Sequence, residues 1–138
     1  MQELSRFITI LLPDLSMKFT QFQIDPSIFA SQWFITLFVY NMPFPFVARV
    51  WDLFFLKRWS VVFRISIALL EFVQEGLLQS FDMESILKHL KSISEQIQSN
   101  ERFIEIIVER AMRLNVDEND ARVLGNISQD EPLIVLND

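Results

Sequence analysis

An all-α fold, an irregular bundle of about seven helices, follows from three features of this sequence. Apolar residues recur at three- and four-residue steps along most of the chain, no alternating strand pattern bounded by turn residues occurs, and helix-start signals such as Asp25-Pro26 punctuate the runs. With 138 residues the chain is long enough for one domain with a real core and too short for two ordinary ones. Hydrophobic residues make up 51% of it and the mean hydropathy is +0.27, so much of the sequence must be buried in itself, in a partner or in lipid.

A first helix is expected from about Gln2 to Leu11, and Pro13 opens a short second one carrying Leu15, Met17 and Phe19. Asp25 before Pro26 starts a third, because Asp caps free N–H groups and Pro fits the first helical position. This helix should end near Tyr40. Ile28, Phe29, Trp33, Phe34, Ile35, Leu37, Phe38 and Val39 cover most of its circumference, which predicts a central position. The fourth, from about Pro43 to Leu56, is similar, with Arg49 and Asp52 three residues apart among Phe, Val, Leu and Trp. The fifth, from about Ser60 to Glu75, reads as amphipathic, with Ser60, Arg64, Glu71 and Glu75 on one face and Gly76 as its stop.

Composition then changes, since of the aromatic residues only Phe81 and Phe103 follow Gly76. The later part reads as a cover for the earlier one. Asp82 can cap a sixth helix bearing Ile86, Leu90, Ile93 and Ile97, and Asn100 a seventh bearing Phe103, Ile107, Ala111 and Leu114. A further helix can follow Asp117, and the last ten or so residues read as a frayed end.

The formal charge is -6 and unevenly placed: Met1 to Gly76 holds six basic and six acidic residues, Leu77 to Asp138 six basic and twelve acidic. Nucleic acid is not the expected partner, because the longest basic run is Lys57-Arg58. With no cysteine there is no disulfide framework, thiolate nucleophile or Cys-ligated metal, which fits the cytosol. The N-terminus lacks the order of a signal peptide, so Asn126-Ile127-Ser128 is a sequon only in form. From Pro26 to Ala48 no residue is charged, but Pro43 and Pro45 would break a membrane span. Arg64 would cost a second span about 2.5 to 3.5 kcal/mol.

Catalytic constellations are thin. The single histidine, His89, has no Glu or His at metal-ligand spacing and reads as a surface helix residue. Two glycines, Gly76 and Gly125, leave no Gly-rich phosphate loop. Asp117-Glu118-Asn119-Asp120 fails as a calcium loop, because Arg122 stands where Gly is required and Ser128 where the bidentate Glu belongs. No metal site and no cofactor are expected. Arg49, Asp52 and Arg64 are charges in apolar surroundings and need partners. An internal ion pair or cap fixing how the fourth and fifth helices meet, with Asp52 as the ready partner of Arg49, is favoured over a docking or catalytic arginine.

Leu12-Pro13-Asp14-Leu15, Asp25-Pro26, Phe29-Ala30-Ser31-Gln32-Trp33-Phe34, Leu37-Phe38, Pro43, Arg49-Val50-Trp51-Asp52 and Val62-Phe63-Arg64 follow one another in an order and spacing that resemble the C-terminal half of the TBC domain of Rab GTPase-activating proteins. The match is specific from about Leu12 to Leu90 and looser to about Leu124. It departs at Lys57-Arg58, where such domains commonly place an acidic residue and Gly.

The resemblance implies an all-helical fold, with a half-domain at 1–98 and a C-terminal helical extension at 99–138. It also implies a Rab-type small GTPase as partner, and a cytoplasmic protein at most peripheral to endomembranes, its membrane contact indirect. In the family, an arginine finger comes from an Ile-x-x-Asp-x-x-Arg motif and a glutamine finger from a Tyr-x-Gln motif. Neither motif occurs in this sequence; Tyr40 is followed by Asn41 and Met42. No catalytic residue is therefore carried over, and Trp33, Pro43, Arg49, Trp51, Asp52 and Arg64 are expected as scaffold.

The expectation is a fragment or truncated activator whose parent chain or partner supplies the fingers. The alternatives are a non-catalytic module that binds a Rab or another helical protein, and a membrane-associated hairpin. Without the missing N-terminal half-domain, apolar sides of the third and fourth helices should lie open and promote self-association.

Overall fold

The computed structural model describes residues 2–36, 38 and 42–114. Among them it shows nine helices and no strand: α1 (Gln2–Leu11), α2 (Pro13–Gln21), α3 (Ser27–Thr36), α4 (Phe44–Lys57), α5 (Trp59–Phe72), α6 (Gln74–Gln79), α7 (Met83–Lys91), α8 (Ile93–Ser99) and α9 (Arg102–Arg113). The all-α expectation holds. The count exceeds seven because two of the expected helices are each broken in two. The expected helix after Asp117, the frayed end, the sequon and the acidic run at Asp117 lie outside the described residues.

Local capping chemistry works as the sequence predicts. Ser27 donates its N–H to Asp25 Oδ1 at 2.9 Å, and Ser27's hydrogen bonds, backbone first and side chain second, hold the Asp25 carboxyl below its ordinary range. Ser85 N–H reaches Asp82 Oδ1 at 2.7 Å, and Arg102 N–H reaches Asn100 Oδ1 at 3.0 Å.

Helix α3 stops earlier than expected. It ends at Thr36, and Phe38 has a φ of 68°, with its N–H donated back to Trp33 O at 2.9 Å. That turn sends the Phe38 ring into the core, stacked on Trp33 at 5.9 Å and edge-on to Phe46 at 6.0 Å. Burying a large aromatic outweighs an unfavourable backbone conformation here.

The central element is α5, not α3 or α4. Val61, Val62, Ile65, Ser66, Ile67, Ala68, Leu69 and Leu70 are all buried, because α1, α3, α4, α6 and α9 pack around this helix. Ser66 is satisfied by donating to Val62 O at 2.8 Å. The expected solvent face of α5 is covered by α9: Glu71 accepts from Arg110 Nη2 at 3.0 Å, and Arg64 reaches the end of α9. Conversely, α3 leaves Ile28 exposed and α4 leaves Phe44, Phe55 and Leu56 exposed. Apolar composition records what a helix would bury; the supply of neighbours decides what it does bury.

Gly76 does not stop the fifth helix. Val73 ends α5 and leads straight into α6, with Gly76 inside it. A Cβ at Gly76 would lie 2.7 Å from His89 Cδ2 and 2.9 Å from His89 Nε2, so glycine is needed for α7 to approach. His89 is accordingly a half-buried packing residue rather than a surface one. Its Nδ1 lies 2.8 Å from Ser85 O, and because a carbonyl only accepts, Nδ1 carries the proton. The expected sixth helix is split at Ser92, whose hydroxyl donates to His89 O at 2.7 Å and accepts from Gln96 Nε2 at 2.9 Å. This side-chain competition for backbone groups bends the path while keeping Ile86, Leu90, Ile93 and Ile97 buried.

Candidate functional site

The residues singled out by the sequence fall into two groups. Trp33 and Pro43 organise the interior. Trp33 is buried in α3, with its ring edge-on to Phe29 at 5.5 Å and stacked on Phe38. Phe29 in turn meets Phe19 at 5.5 Å, so one aromatic chain links α2, α3 and the turn that follows. Pro43 caps α4 in an extended conformation, its carbonyl accepting from Phe46 at 3.0 Å and Val47 at 3.1 Å. Proline suits that position because its fixed φ ends the preceding segment.

Arg49, Trp51, Asp52 and Arg64 do not form one cluster. Arg49 grips Glu105 of α9 with both ends of its fork, Nε to Oε2 at 2.9 Å and Nη2 to Oε1 at 3.1 Å. Asp52 is exposed and acts on Arg49 through its charge, the smallest of the causes. The expectation that Asp52 pairs with Arg49 is thus corrected: Glu105 offers a bidentate geometry that a residue three positions along the same helix does not match. The hydrogen bond and then the charge of Arg49 hold the Glu105 carboxyl below its ordinary range, and the same bond raises Arg49.

Arg64 donates Nη1 to Leu114 O at 2.6 Å and to Ala111 O at 3.4 Å. It covers the carbonyl of Leu114 and shares that of Ala111, which also accepts from Leu114 N–H at 3.3 Å, at a helix end where the dipole favours a cation. Both arginines therefore tie to α9 and do not join α4 to α5. Trp51 is half-buried, edge-on to Phe55 at 5.8 Å. No sequence signal pointed to Glu105, which lies 56 positions from Arg49, nor to the Glu71–Arg110 pair.

Two surface features accompany this frame. A cleft of about 360 Å³ opens between α3 and the α7–α8 pair, lined by Phe29, Gln32, Trp33, Met42, Leu87 and Lys91 among others. An aromatic lip lies at the α4–α5 corner, where Trp59 meets Phe54 edge-on at 5.5 Å and stacks with Phe34 at 6.4 Å, while Phe55 and Leu56 stand outside it. Among the described residues no group of three or more His, Asp or Glu could hold a metal. No helix of the described residues is long and apolar enough to cross a membrane.

Comparison with known proteins identifies the frame. A model of the Rab-GTPase-TBC domain matches residues 1–78. The chain is similar to TBC1 domain family member 4 of Mus musculus, with 30% identity over 135 residues, 96% of this chain and 10% of that protein. It is also similar to the Ecotropic viral integration site 5 protein of Mus musculus, with 37% identity over 82 residues, 59% of this chain and 10% of that protein. The chain spans about a tenth of the length of these relatives. In fold it is similar to the crystal structure of the Chlamydomonas flagellar RabGAP TBC domain, with a TM-score of 0.74 and 24% identity over 83% of this chain and 38% of that one. The family match covers Trp33, Pro43, Arg49-Val50-Trp51-Asp52 and Arg64 in a helical frame that superposes on a solved TBC domain, and the chain belongs to the Rab-GTPase-TBC domain family.

Proposed function

We propose that this chain is the C-terminal half of a TBC domain, which supports a Rab-type GTPase while arginine and glutamine fingers come from another segment or partner. The observation that carries the reading is the family match over residues 1–78 in a sequence without an Ile-x-x-Asp-x-x-Arg or Tyr-x-Gln motif. The structural engagement of Arg49 by Glu105 and of Arg64 by the end of α9 supports it as well. An arginine finger is worth roughly a thousand- to a hundred-thousand-fold in turnover, or about 4 to 7 kcal/mol of transition-state stabilisation. A chain lacking it binds without much accelerating. Membrane contact is then indirect, through the GTPase.

Single-turnover GTP hydrolysis across a panel of Rab proteins tests this. With the chain in excess, rates should stay within about twofold of the intrinsic ones, far below the finger effect. Acceleration of any one Rab by a hundredfold or more would overturn the proposal. A non-catalytic binding module is the second reading, favoured by the aromatic lip at the α4–α5 corner. It predicts the same flat rates but also binding of a Rab or another helical protein by this chain without stimulation.

A further inference from the structure

The cleft of about 360 Å³ between α3 and the α7–α8 pair is walled by one face of each element. On α3, Phe29, Gln32 and Trp33 follow one another at helical spacing. On the opposite wall Leu87, Lys91 and Ser94 do the same across the break at Ser92. Trp33 and Leu90 are buried, so the walls are apolar and partly aromatic, and Ile28 stands 56% exposed at the edge.

The cleft also gathers hydrogen-bond donors. Trp33 is 7% exposed and Ser94 8%, and among the described residues neither the indole N–H nor the hydroxyl has a hydrogen-bond partner. Yet among the same residues no fully enclosed side-chain polar atom is left unsatisfied. Both groups therefore reach open space, and the open space that both residues line is this cleft. Lys91 is exposed at the end of α7, and among the described residues no ion pair engages it, not even with Glu95 four positions on. None of the described residues that line the cleft is acidic. An indole N–H and an ammonium only donate, and a hydroxyl is free to donate as well. The missing complement is an acceptor that carries negative charge.

We propose that this cleft binds a small amphipathic carboxylate, an acyl or aryl chain that ends in one carboxylate group. The chain lies against Phe29, Trp33 and Leu90, the carboxylate accepts from the Trp33 indole and the Ser94 hydroxyl, and Lys91 neutralises it at the mouth. A mostly apolar cleft of this size with a few convergent polar groups has the make-up of a small-molecule site. One cation and two neutral donors balance a single negative charge, which favours a carboxylate over a doubly charged phosphate. The proposal does not rest on the GTPase reading, and it leaves the outer face of α4 open.

Titration of the full chain with octanoate at neutral pH tests it, followed through the tryptophan indole N–H resonances in a nitrogen–proton correlation spectrum. The sequence has three tryptophans, Trp33 in the cleft and Trp51 and Trp59 on α4 and α5, assigned with W51F and W59F. The Trp33 resonance should shift and saturate while those of Trp51 and Trp59 stay in place. Octanol, with the same chain and no charge, should bind about three- to tenfold more weakly than octanoate. Lys91→Gln, at an exposed position, should weaken octanoate by the same factor and abolish the preference over octanol. Ser94→Leu, which fills the cleft, should remove the Trp33 response. A Trp33 resonance that never saturates, a response at Trp59 in its place, or octanol binding as tightly as octanoate overturns the proposal. Unchanged octanoate affinity in Lys91→Gln overturns it too.

Discussion

Helices α4 and α5 are the same length, 14 residues each, meet at one residue and are both dominated by apolar side chains. They end up in opposite situations. On α5 nothing from Val61 to Leu70 is exposed, and its two charges, Arg64 and Glu71, find partners on α9. On α4 just Phe46 and Val50 are buried, while Phe44, Phe55 and Leu56 lie 65 to 79% exposed. Both helices have charges tied to α9, Arg49 on α4 and Arg64 and Glu71 on α5, but α5 is packed by α1, α3, α4, α6 and α9, whereas α4 packs chiefly on α5 and α9. Hydrophobicity creates a demand for burial, but the supply of neighbouring helices decides how far it is met.

The sharpest way to break this comparison is to truncate one side chain on each helix. Leu69→Ala, in the buried centre of α5, should cost about 2 to 5 kcal/mol, whereas Phe55→Ala should stay within about 0.5 kcal/mol, both measured by denaturant unfolding. Equal costs would mean that the outer side of α4 is covered in solution. Next come the arginines. Arg64→Met removes the donor to the Leu114 carbonyl at the end of α9 and should cost about 1 to 3 kcal/mol. Arg49→Met removes a solvent-exposed pair and should cost less than about 1 kcal/mol. If Arg49 proved the costlier, α4 rather than α5 would be the anchor of α9.

Smaller effects sharpen the same contrast. Arg58→Gly relieves the strained corner between the two helices, where φ is 61°, and should raise stability by about 1 kcal/mol. A lower unfolding midpoint would show that the Arg58 side chain contributes more than its backbone conformation costs. The smallest effect concerns pH. Because the folded-state pKa of Glu105 lies below its ordinary value, its contribution is present above that value and is lost as the pH falls through the folded one. Glu105→Gln should therefore trim the acid sensitivity of stability slightly, by less than about 0.5 kcal/mol near neutral pH. A larger loss at neutral pH than at pH 3 is the required sign, and the reverse would exclude the ion pair as its source.

The family was legible because its signature is a local order of residue types. Trp33, Pro43 and Arg49-Val50-Trp51-Asp52 stand in an order and at spacings that can be read without knowing what each side chain touches. Their roles were legible only in part. Trp33 and Pro43 are structural for reasons visible nearby, an aromatic helix face and a helix start. The partner of Arg49 was not legible, since Asp52 is close in sequence and Glu105 is close in space.

By itself, then, the sequence determined what depends on a few consecutive residues: the all-α class, the caps at Asp25, Asp82 and Asn100, and the buried periodicity of Ile86, Leu90, Ile93 and Ile97. Caps reach two or three residues, and helical faces repeat within one turn. Only the tertiary structure decided that α5 is central, that Gly76 makes room for His89 and that both arginines fasten α9. Each of these joins groups 13 or more positions apart, where the meeting of two surfaces depends on every helix packed between and around them.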